Sequence, residues 1–172
     1  MTRRTADRDP IQAFKALDAY HAQIADHLVR LEALMDRYES RGTDAPTQAE
    51  ARAIEAFFSS TSRQHHRDEE TLVFPELLAS PDAELVATVR VLQQDHGWIE
   101  EDWLALAPRL RAVAGGQSDV DPAELRHTAQ VFTDLVREHI ELEESLIYPE
   151  AKALLQRAAR ARSARRERIA PG

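Results

Sequence analysis

The stretch HHRDEETLVFP at residues 65–75 recurs in altered form as EHIELEESLIYP at residues 138–149. When Pro75 is aligned with Pro149, both copies follow the pattern HxxxEExLΦΦP, in which Φ is a large apolar or aromatic residue. A His and a Glu four residues apart lie on one face of an α-helix, about one turn from each other. The repeat therefore predicts two helices that each present a His–Glu pair suited to holding one ion.

The second copy selects between two such pairs in the first copy. Copy one contains a pair that starts at His65 and another that starts at His66, but copy two has a matching His and Glu only for the first pair. We therefore interpret His66 and Glu70 as neighbours of the site and not as ligands. The predicted pairs are His65 with Glu69 and His139 with Glu143.

Length and composition indicate one soluble domain. A chain of 172 residues can build a single sizeable core. Cysteine is absent, so any metal must be held by nitrogen and oxygen ligands. The basic residues near the N-terminus precede no apolar stretch, and no segment approaches the ~20 apolar residues that span a bilayer. We expect a cytoplasmic protein without a membrane partner.

The charge distribution separates the body of the chain from its C-terminal end. The net charge is −8, yet residues 156–172 contain six Arg against one Glu. An acidic body argues against nucleic acid as the main partner. For the basic tail we expect a solvated helix end, which the helix dipole favours, over a phosphate-binding segment.

Long segments with a 3.6-residue period and few Gly predict an all-α protein. Asp9-Pro10, Thr47 with Glu50, Ser80-Pro81 and Asp121-Pro122 read as helix starts, and Gly42 and Gly115-Gly116 as helix ends. Short connections between four long helices predict an antiparallel four-helix bundle in the order up-down-up-down. The predicted domains are a disordered N-terminus at residues 1–9, the bundle at 10–155 and a basic tail at 156–172.

Each predicted helix places one His on its apolar stripe, and three helices place a carboxylate four residues later. An unpartnered ionised Glu in an apolar interior costs several kcal/mol, and three would exhaust the roughly 5–15 kcal/mol that stabilises a typical domain. No Lys or Arg shares these stripes at that level, so bound cations are favoured over glutamates that reach water. The candidate metal ligands are His27, His65, Glu69, His96, Glu100, His139 and Glu143.

This pattern resembles the hemerythrin-like HHE cation-binding family, and the resemblance extends from about Tyr20 to about Leu155. It implies a four-helix bundle around a non-haem di-iron centre with an oxo or hydroxo bridge. A His and carboxylate shell suits iron and would also admit Mn or Zn. The resemblance implies nitrogen ligands at His27, His65, His96 and His139, and bridging carboxylates at Glu69 and Glu143.

Two departures from the oxygen-carrying members of the family bear on function. Those proteins have a second His four residues after the third-helix one, where this chain has Glu100, and they end in HxxxxD, where this chain has HxxxE. If Glu100 is a ligand, about one coordination position stays open for O₂, peroxide, NO or water. Its added negative charge should lower the reduction potential, so redox chemistry or sensing is favoured over reversible O₂ carriage.

The sequence leaves three functions open: a di-iron protein that binds O₂, peroxide or NO; an enzyme for peroxide disproportionation, ferrous oxidation or NO reduction; and an iron storage or sensing protein. Oligomeric state and enzyme status stay open as well. Other candidates are discounted. We expect His21 on the surface, Glu124 with His127 as a chance match to another di-iron motif, and aromatic residues such as Tyr148 in packing roles.

Overall fold

The computed structural model describes the backbone of residues 10–169, with side chains described for residues 16–60, 62–158, 160 and 161. The predicted disordered segment at residues 1–9 lies outside the described residues. All regular structure in the described part of the chain is helical, which confirms the all-α fold class. The α-helices are α1 (Pro10–Arg41), α2 (Ala45–Phe57), α3 (Arg63–Leu72), α4 (Phe74–Leu78), α5 (Ala83–Ala114), α6 (Pro122–Leu142) and α7 (Tyr148–Ile169).

These helices form four successive helical stretches. The second stretch consists of α2, α3 and α4, with a π-helical segment at Phe58–Ser62 between α2 and α3. The fourth consists of α6 and α7, joined by a second π-helical segment at Glu143–Ile147. The backbone of the predicted basic tail continues α7 as far as Ile169. Both π-helical segments adjoin a copy of the HxxxE motif, and π-helical turns are frequent at functional sites.

The helix ends follow local chemistry. Gly42 and Gly116 have φ of 62° and 80°, the left-handed conformation that favours Gly after a helix. The side chain of Asp121 accepts a hydrogen bond from the Ala123 backbone N–H at 2.9 Å, so Asp121 caps α6 as predicted. The predicted capping role of Thr47 is wrong, because α2 starts earlier and Asp44 is its N-cap.

The packing closes a ring of four neighbours: α2 packs on α1 and α5, and α6 packs on α5 and α1. The core has two parts. A large apolar cluster contains Phe58, Trp103 and Phe132, and a small apolar cluster contains Phe74 and Tyr148.

The four stretches pass these clusters in alternating order. The first and third run from the small cluster to the large one, and the second and fourth run from the large one to the small one. The predicted up-down-up-down arrangement requires this alternation. In every stretch a buried His lies where the chain leaves one cluster for the other: His21, His65, His96 and His139. The core is therefore divided by a polar layer.

Within the described residues, none of the helices combines the length and the apolar character needed to cross a membrane.

Candidate metal centre

The polar layer gathers six buried side chains from all four helical stretches. α1 supplies His21, α3 supplies His65 and Glu69, α5 supplies His96, and α6 with the π-helical turn after it supplies His139 and Glu143. They form two overlapping groups that could each hold a metal ion. One group is His21, His65, Glu69 and Glu143, and the other is Glu69, His96, His139 and Glu143.

Each carboxylate belongs to both groups because its two oxygens face in different directions. Glu69 Oε1 lies 3.3 Å from His65 Nε2, and Glu69 Oε2 lies 3.5 Å from His96 Nε2. Glu143 Oε1 lies 3.3 Å from His139 Nε2, and its Oε2 lies 3.3 Å from His21 Nε2. Two carboxylates that each offer one oxygen to either group are arranged as bridges between two metal positions.

The distances within each group fit ligands around a common ion. Nitrogen and oxygen donors about 2.1 Å from one ion lie roughly 3–3.4 Å apart at ordinary coordination angles. The observed separations of 3.3–3.5 Å between histidine nitrogens and carboxylate oxygens fall at or just above this range. The ligand atoms of each group all lie within 4.8 Å of one another.

Unsatisfied polar atoms also concentrate in this layer. Buried polar groups are normally hydrogen-bonded, and each one left unpaired costs about 1–3 kcal/mol. In the described part of the chain, all the buried side-chain atoms without a partner belong to these residues except Thr133 Oγ1. They are His65 Nδ1, Glu69 Oε2, His96 Nε2, both ring nitrogens of His139 and both oxygens of Glu143. Bound cations would satisfy most of them at once.

The protonation of the two glutamates differs although both have 0 % exposure. Burial, together with the nearby charge of Glu143, raises the pKa of Glu69 to about 7. Burial also pushes the pKa of Glu143 upward, but the close approach of the His139 and His21 rings to its oxygens, each at 3.3 Å, outweighs burial and lowers the pKa well below its usual range. Without bound cations, Glu69 therefore keeps its proton to a higher pH than usual, and Glu143 stays ionised.

The imidazole of His65 is held neutral. Burial and the nearby ring of His21 lower the pKa of His65 to about 3. A neutral ring can offer a nitrogen lone pair to a cation, whereas a protonated ring cannot. His65 is therefore in the form that metal binding requires at neutral pH.

Tyr148 adds a phenol to one side of the layer. Its hydroxyl donates a hydrogen bond to Glu69 and lies 3.1 Å from His21 Nε2. Burial, with the charge of Glu69, raises the pKa of Tyr148 far above its usual value, so the hydroxyl keeps its proton. In the repeat, Phe74 occupies the position of Tyr148, and its ring stacks near His96 at 5.6 Å. The packing role expected for Tyr148 is thus incomplete, because its hydroxyl also belongs to the site.

The structure does not bring His27 into the layer. Six residues of helix separate His27 from His21, which corresponds to about 9 Å along α1. Both ring nitrogens of His27 already have partners: Nδ1 donates to the Gln23 carbonyl at 2.8 Å, and Nε2 accepts from Arg30 at 3.1 Å. Its ring stacks on Phe57 with centroids 3.7 Å apart. His27 therefore lies beside the large apolar cluster, and the prediction that places it among the ligands needs correction.

Glu100 also lies outside both groups. Its carboxylate forms an ion pair with Arg63 at 2.5 Å, and its side chain is 30 % exposed. Glu100 lies four residues after His96 and therefore on the same face of α5. Its carboxylate turns outward to the ion pair with Arg63. The expectation of a lower reduction potential, which depended on Glu100 as an anionic ligand, loses its basis.

The expectation that His21 lies on the surface is wrong, because the side chain is 2 % exposed. One sequence signal could have identified it. The 44 residues from His21 to His65 nearly equal the 43 from His96 to His139.

His66 and Glu70 lie beside the layer. The half-buried ring of His66 stacks on His96 with centroids 4.0 Å apart, and its nitrogens come within 4.8 Å of those of His96 and His139. The Glu70 carboxylate accepts a hydrogen bond from His96 Nδ1 at 2.8 Å. Copy two has the same contact, from His21 Nδ1 to Glu144 at 3.0 Å. That His66 is a neighbour and not a ligand stays a prediction.

A small cavity adjoins this edge of the layer. It has a volume of about 10 Å³ and lies between His66, the Arg63–Glu100 ion pair and the aromatic side chains of the large cluster. A volume of that size is at the lower limit for one water molecule.

A helical bundle with a dry layer of four histidines and two shared carboxylates defines a class of metal-binding protein. The chain matches the model of the hemerythrin HHE cation-binding domain over residues 12–151, and it belongs to that family. It is also 27 % identical over 137 residues to a Haemophilus influenzae protein described as uncharacterized, an overlap that covers 78 % of this chain and 76 % of the relative. No solved structure matches the chain closely.

The raised pKa of Glu69 predicts a pH-dependent stability of the metal-free protein. The native state holds a proton up to about pH 7 that the unfolded chain releases near pH 4.5, so stability falls as pH rises between these values. Glu69→Gln, neutral at every pH, should remove this loss. We expect the variant to gain stability over the wild type as pH rises from 4.5 to 7, reaching on the order of 3 kcal/mol.

Urea unfolding of the chelator-treated proteins at several pH values measures this difference. The exposed substitution Glu76→Gln is the control and should leave the pH dependence unchanged. A difference between Glu69→Gln and the wild type that is constant across this pH range contradicts the assignment.

Proposed function

We propose that the chain is a non-haem di-iron protein that binds or reacts with O₂, peroxide or NO. One observation carries the proposal: Glu69 and Glu143 each turn one oxygen toward either histidine pair. Two buried carboxylates that each face two sites at once can bridge a metal pair, whereas a single ion would leave one oxygen of each carboxylate without a partner. The nitrogen and oxygen donor set supports iron, with Mn or Zn as alternatives.

The donor count leaves room for small ligands. Two six-coordinate ions need about twelve bonds, of which four histidines supply four and two bridging carboxylates supply four. Without Glu100, the remaining positions are available to solvent and to an added ligand. When bound, the metal pair would supply electrons to a small ligand or accept them from it.

The surrounding residues favour a small ligand over an organic substrate. Apolar clusters exclude water from both sides of the layer, and the cavity beside His66 has a volume of about 10 Å³. Tyr148 holds a proton at its hydroxyl oxygen, next to His21 Nε2 and Glu69. Such a closed site favours the smallest ligands, a diatomic molecule or peroxide bound at the metal. The Tyr148 hydroxyl would have to turn its proton away from Glu69 to donate a hydrogen bond to one.

Three activities are compatible with this site. Reversible binding would make the chain a carrier or sensor, turnover of peroxide, Fe(II) or NO would make it an enzyme, and retention of iron alone would make it a storage protein. The absorption spectrum before and after dithionite, azide and peroxide separates these activities. Gas evolution from peroxide would select the enzyme, and a spectrum that responds to none of these reagents would favour storage.

We place the protein in the cytoplasm.

Metal counting tests the proposal and the choice between His21 and His27. The wild type should bind two irons per chain, as measured by elemental analysis after removal of unbound metal. His21→Ala removes a ligand and should lower the count toward one. His27→Ala is the matched control on the same helix and should keep both irons, because its ring nitrogens bond to Gln23 and Arg30.

A wild-type protein that retains no metal refutes the proposed function. Loss of iron in His27→Ala with full retention in His21→Ala would instead restore the ligand set predicted from the sequence. Circular dichroism of each metal-free variant shows whether the helices persist.

The hydroxyl of Tyr148 should assist an anion bound at the open position. Tyr148→Phe removes one hydrogen-bond donor, so we expect two irons to remain while azide binds about 3–10-fold more weakly. Titration of the azide absorption band measures the affinity. Tyr38→Phe is the control, because its hydroxyl donates to the Val120 carbonyl at 2.8 Å outside the layer. Equal azide affinity in Tyr148→Phe and the wild type would show that the hydroxyl does not serve the open position.

A further inference from the structure

The second glutamate of each motif copy contacts a histidine of the opposite half of the bundle. We define hairpin one as α1–α4 and hairpin two as α5–α7. Glu70 of hairpin one accepts a hydrogen bond from Nδ1 of His96 in hairpin two, at 2.8 Å. Glu144 of hairpin two accepts one from Nδ1 of His21 in hairpin one, at 3.0 Å. Each hairpin therefore accepts one hydrogen bond from a histidine of the other hairpin, as the sequence repeat leads us to expect.

These two contacts account for a feature of the motif that the buried glutamates leave unexplained. Both copies contain two successive glutamates, and only the first of each pair is buried in the layer. Glu70 is 42 % exposed and Glu144 is 56 % exposed, so each extends from the surface to a ring that is at least 94 % buried. One residue type at the same position in both copies makes the same bond to the facing hairpin.

The bond fixes which ring nitrogen faces the layer. A carboxylate only accepts hydrogen bonds, so a ring whose Nε2 holds a cation keeps its one proton on Nδ1, where Glu70 or Glu144 accepts it. In both rings Nε2 is the atom that faces a shared carboxylate, at 3.3 Å from Glu143 for His21 and at 3.5 Å from Glu69 for His96. The outer bond therefore places a bare nitrogen where a cation would be held.

We propose that Glu70 and Glu144 are positioning residues that hold His96 and His21, respectively, in the tautomer and orientation for metal binding across the hairpin interface. The inference rests on the proposed metal pair. Each carboxylate also makes its ring a stronger donor and adds negative charge near the pair, which favours the more oxidised metal. The two hairpins are thus joined by the shared glutamates and by these outer bonds.

The alternative is a pair of surface contacts of little consequence, as exposed ion pairs often are. The two accounts differ in what each substitution should do. A positioning role predicts a crosswise effect, in which each substitution disturbs one histidine of the other hairpin. A surface contact predicts no effect on the metal or on either ring.

The first measurement is NMR of the zinc-loaded full chain with ¹⁵N-labelled histidine. The Nδ1–H protons of His21 and His96 should be shifted downfield and protected from exchange with water. Glu144→Ala should remove this protection from His21 alone, and Glu70→Ala should remove it from His96 alone. The exposed substitutions Glu141→Ala and Glu76→Ala are the matched controls on the same helical stretches and should change neither proton.

The second measurement is metal affinity by chelator competition, together with the reduction potential of the iron form. Each alanine variant should bind metal 10–100-fold more weakly. Glu70→Gln and Glu144→Gln keep an oxygen acceptor but lose the charge. They should therefore recover most of the affinity while raising the reduction potential. If Glu70 and Glu144 only stabilised the fold, the Gln variants would not recover metal affinity while shifting the reduction potential.

Several results would overturn the proposal. Unprotected Nδ1–H protons in the wild type, unchanged protection in both alanine variants, or wild-type affinity and potential in all four variants would each do so. If the wild type binds no metal, the proposed function fails, while the NMR comparison on the metal-free chain still reports whether the crosswise bonds exist.

Discussion

The structure depends on the burial of two carboxylates in the middle of the bundle. Glu69 and Glu143 have no exposed surface, and four histidine rings surround them. Without a counter-charge, this burial costs several kcal/mol per ion, a large part of the stability of a domain of this size. In the metal-free layer this cost is offset only in part, because Glu69 keeps its proton and the nearby rings of His139 and His21 favour the ionised form of Glu143. Two cations would neutralise both carboxylates and satisfy the unpaired ring nitrogens.

The two halves of the chain that carry the sequence repeat each contribute part of the polar layer. Each hairpin supplies the two histidines of one candidate metal-binding group, His21 with His65 and His96 with His139. The carboxylates are shared, so neither hairpin alone contains a complete site. Asymmetry enters where the copies differ, because Tyr148 brings a hydroxyl to one position and Phe74 brings an apolar ring to the other. If metal ions occupy both groups, this difference is a physical reason to expect unlike reactivity at the two.

The sequence predicts the helical fold and places four of the six layer residues within two short motifs. The HxxxE spacing has a direct meaning on a helix, and the structure brings His65, Glu69, His139 and Glu143 together. His96 is also in the layer. The choice of His27 depended on its place on an apolar stripe of the first helix, which carries no information about its position along the bundle axis. The position of a residue along the bundle axis is set by packing against the other helices. Of the two α1 histidines, only His21 lies at the level of the two HxxxE motifs.

Glu100 shows a second limit of sequence reasoning, since spacing identifies the face of a helix but not the competing partner. Arg63 is 37 residues away in the sequence and draws the carboxylate outward. The sequence predicts Glu70 as a neighbour of the site but not its contact, because the hydrogen bonds of Glu70 and Glu144 to the opposite hairpin depend on the tertiary structure.

If Glu69 and Glu143 hold two metal ions side by side, X-ray absorption spectroscopy at the iron edge of the loaded protein detects the neighbouring ion. Shared carboxylates predict an iron–iron contribution at a separation of no more than about 4 Å, with mixed nitrogen and oxygen neighbours. Two irons per chain without any iron–iron contribution, or a spectrum of isolated ions, would show that the two carboxylates do not bridge a metal pair.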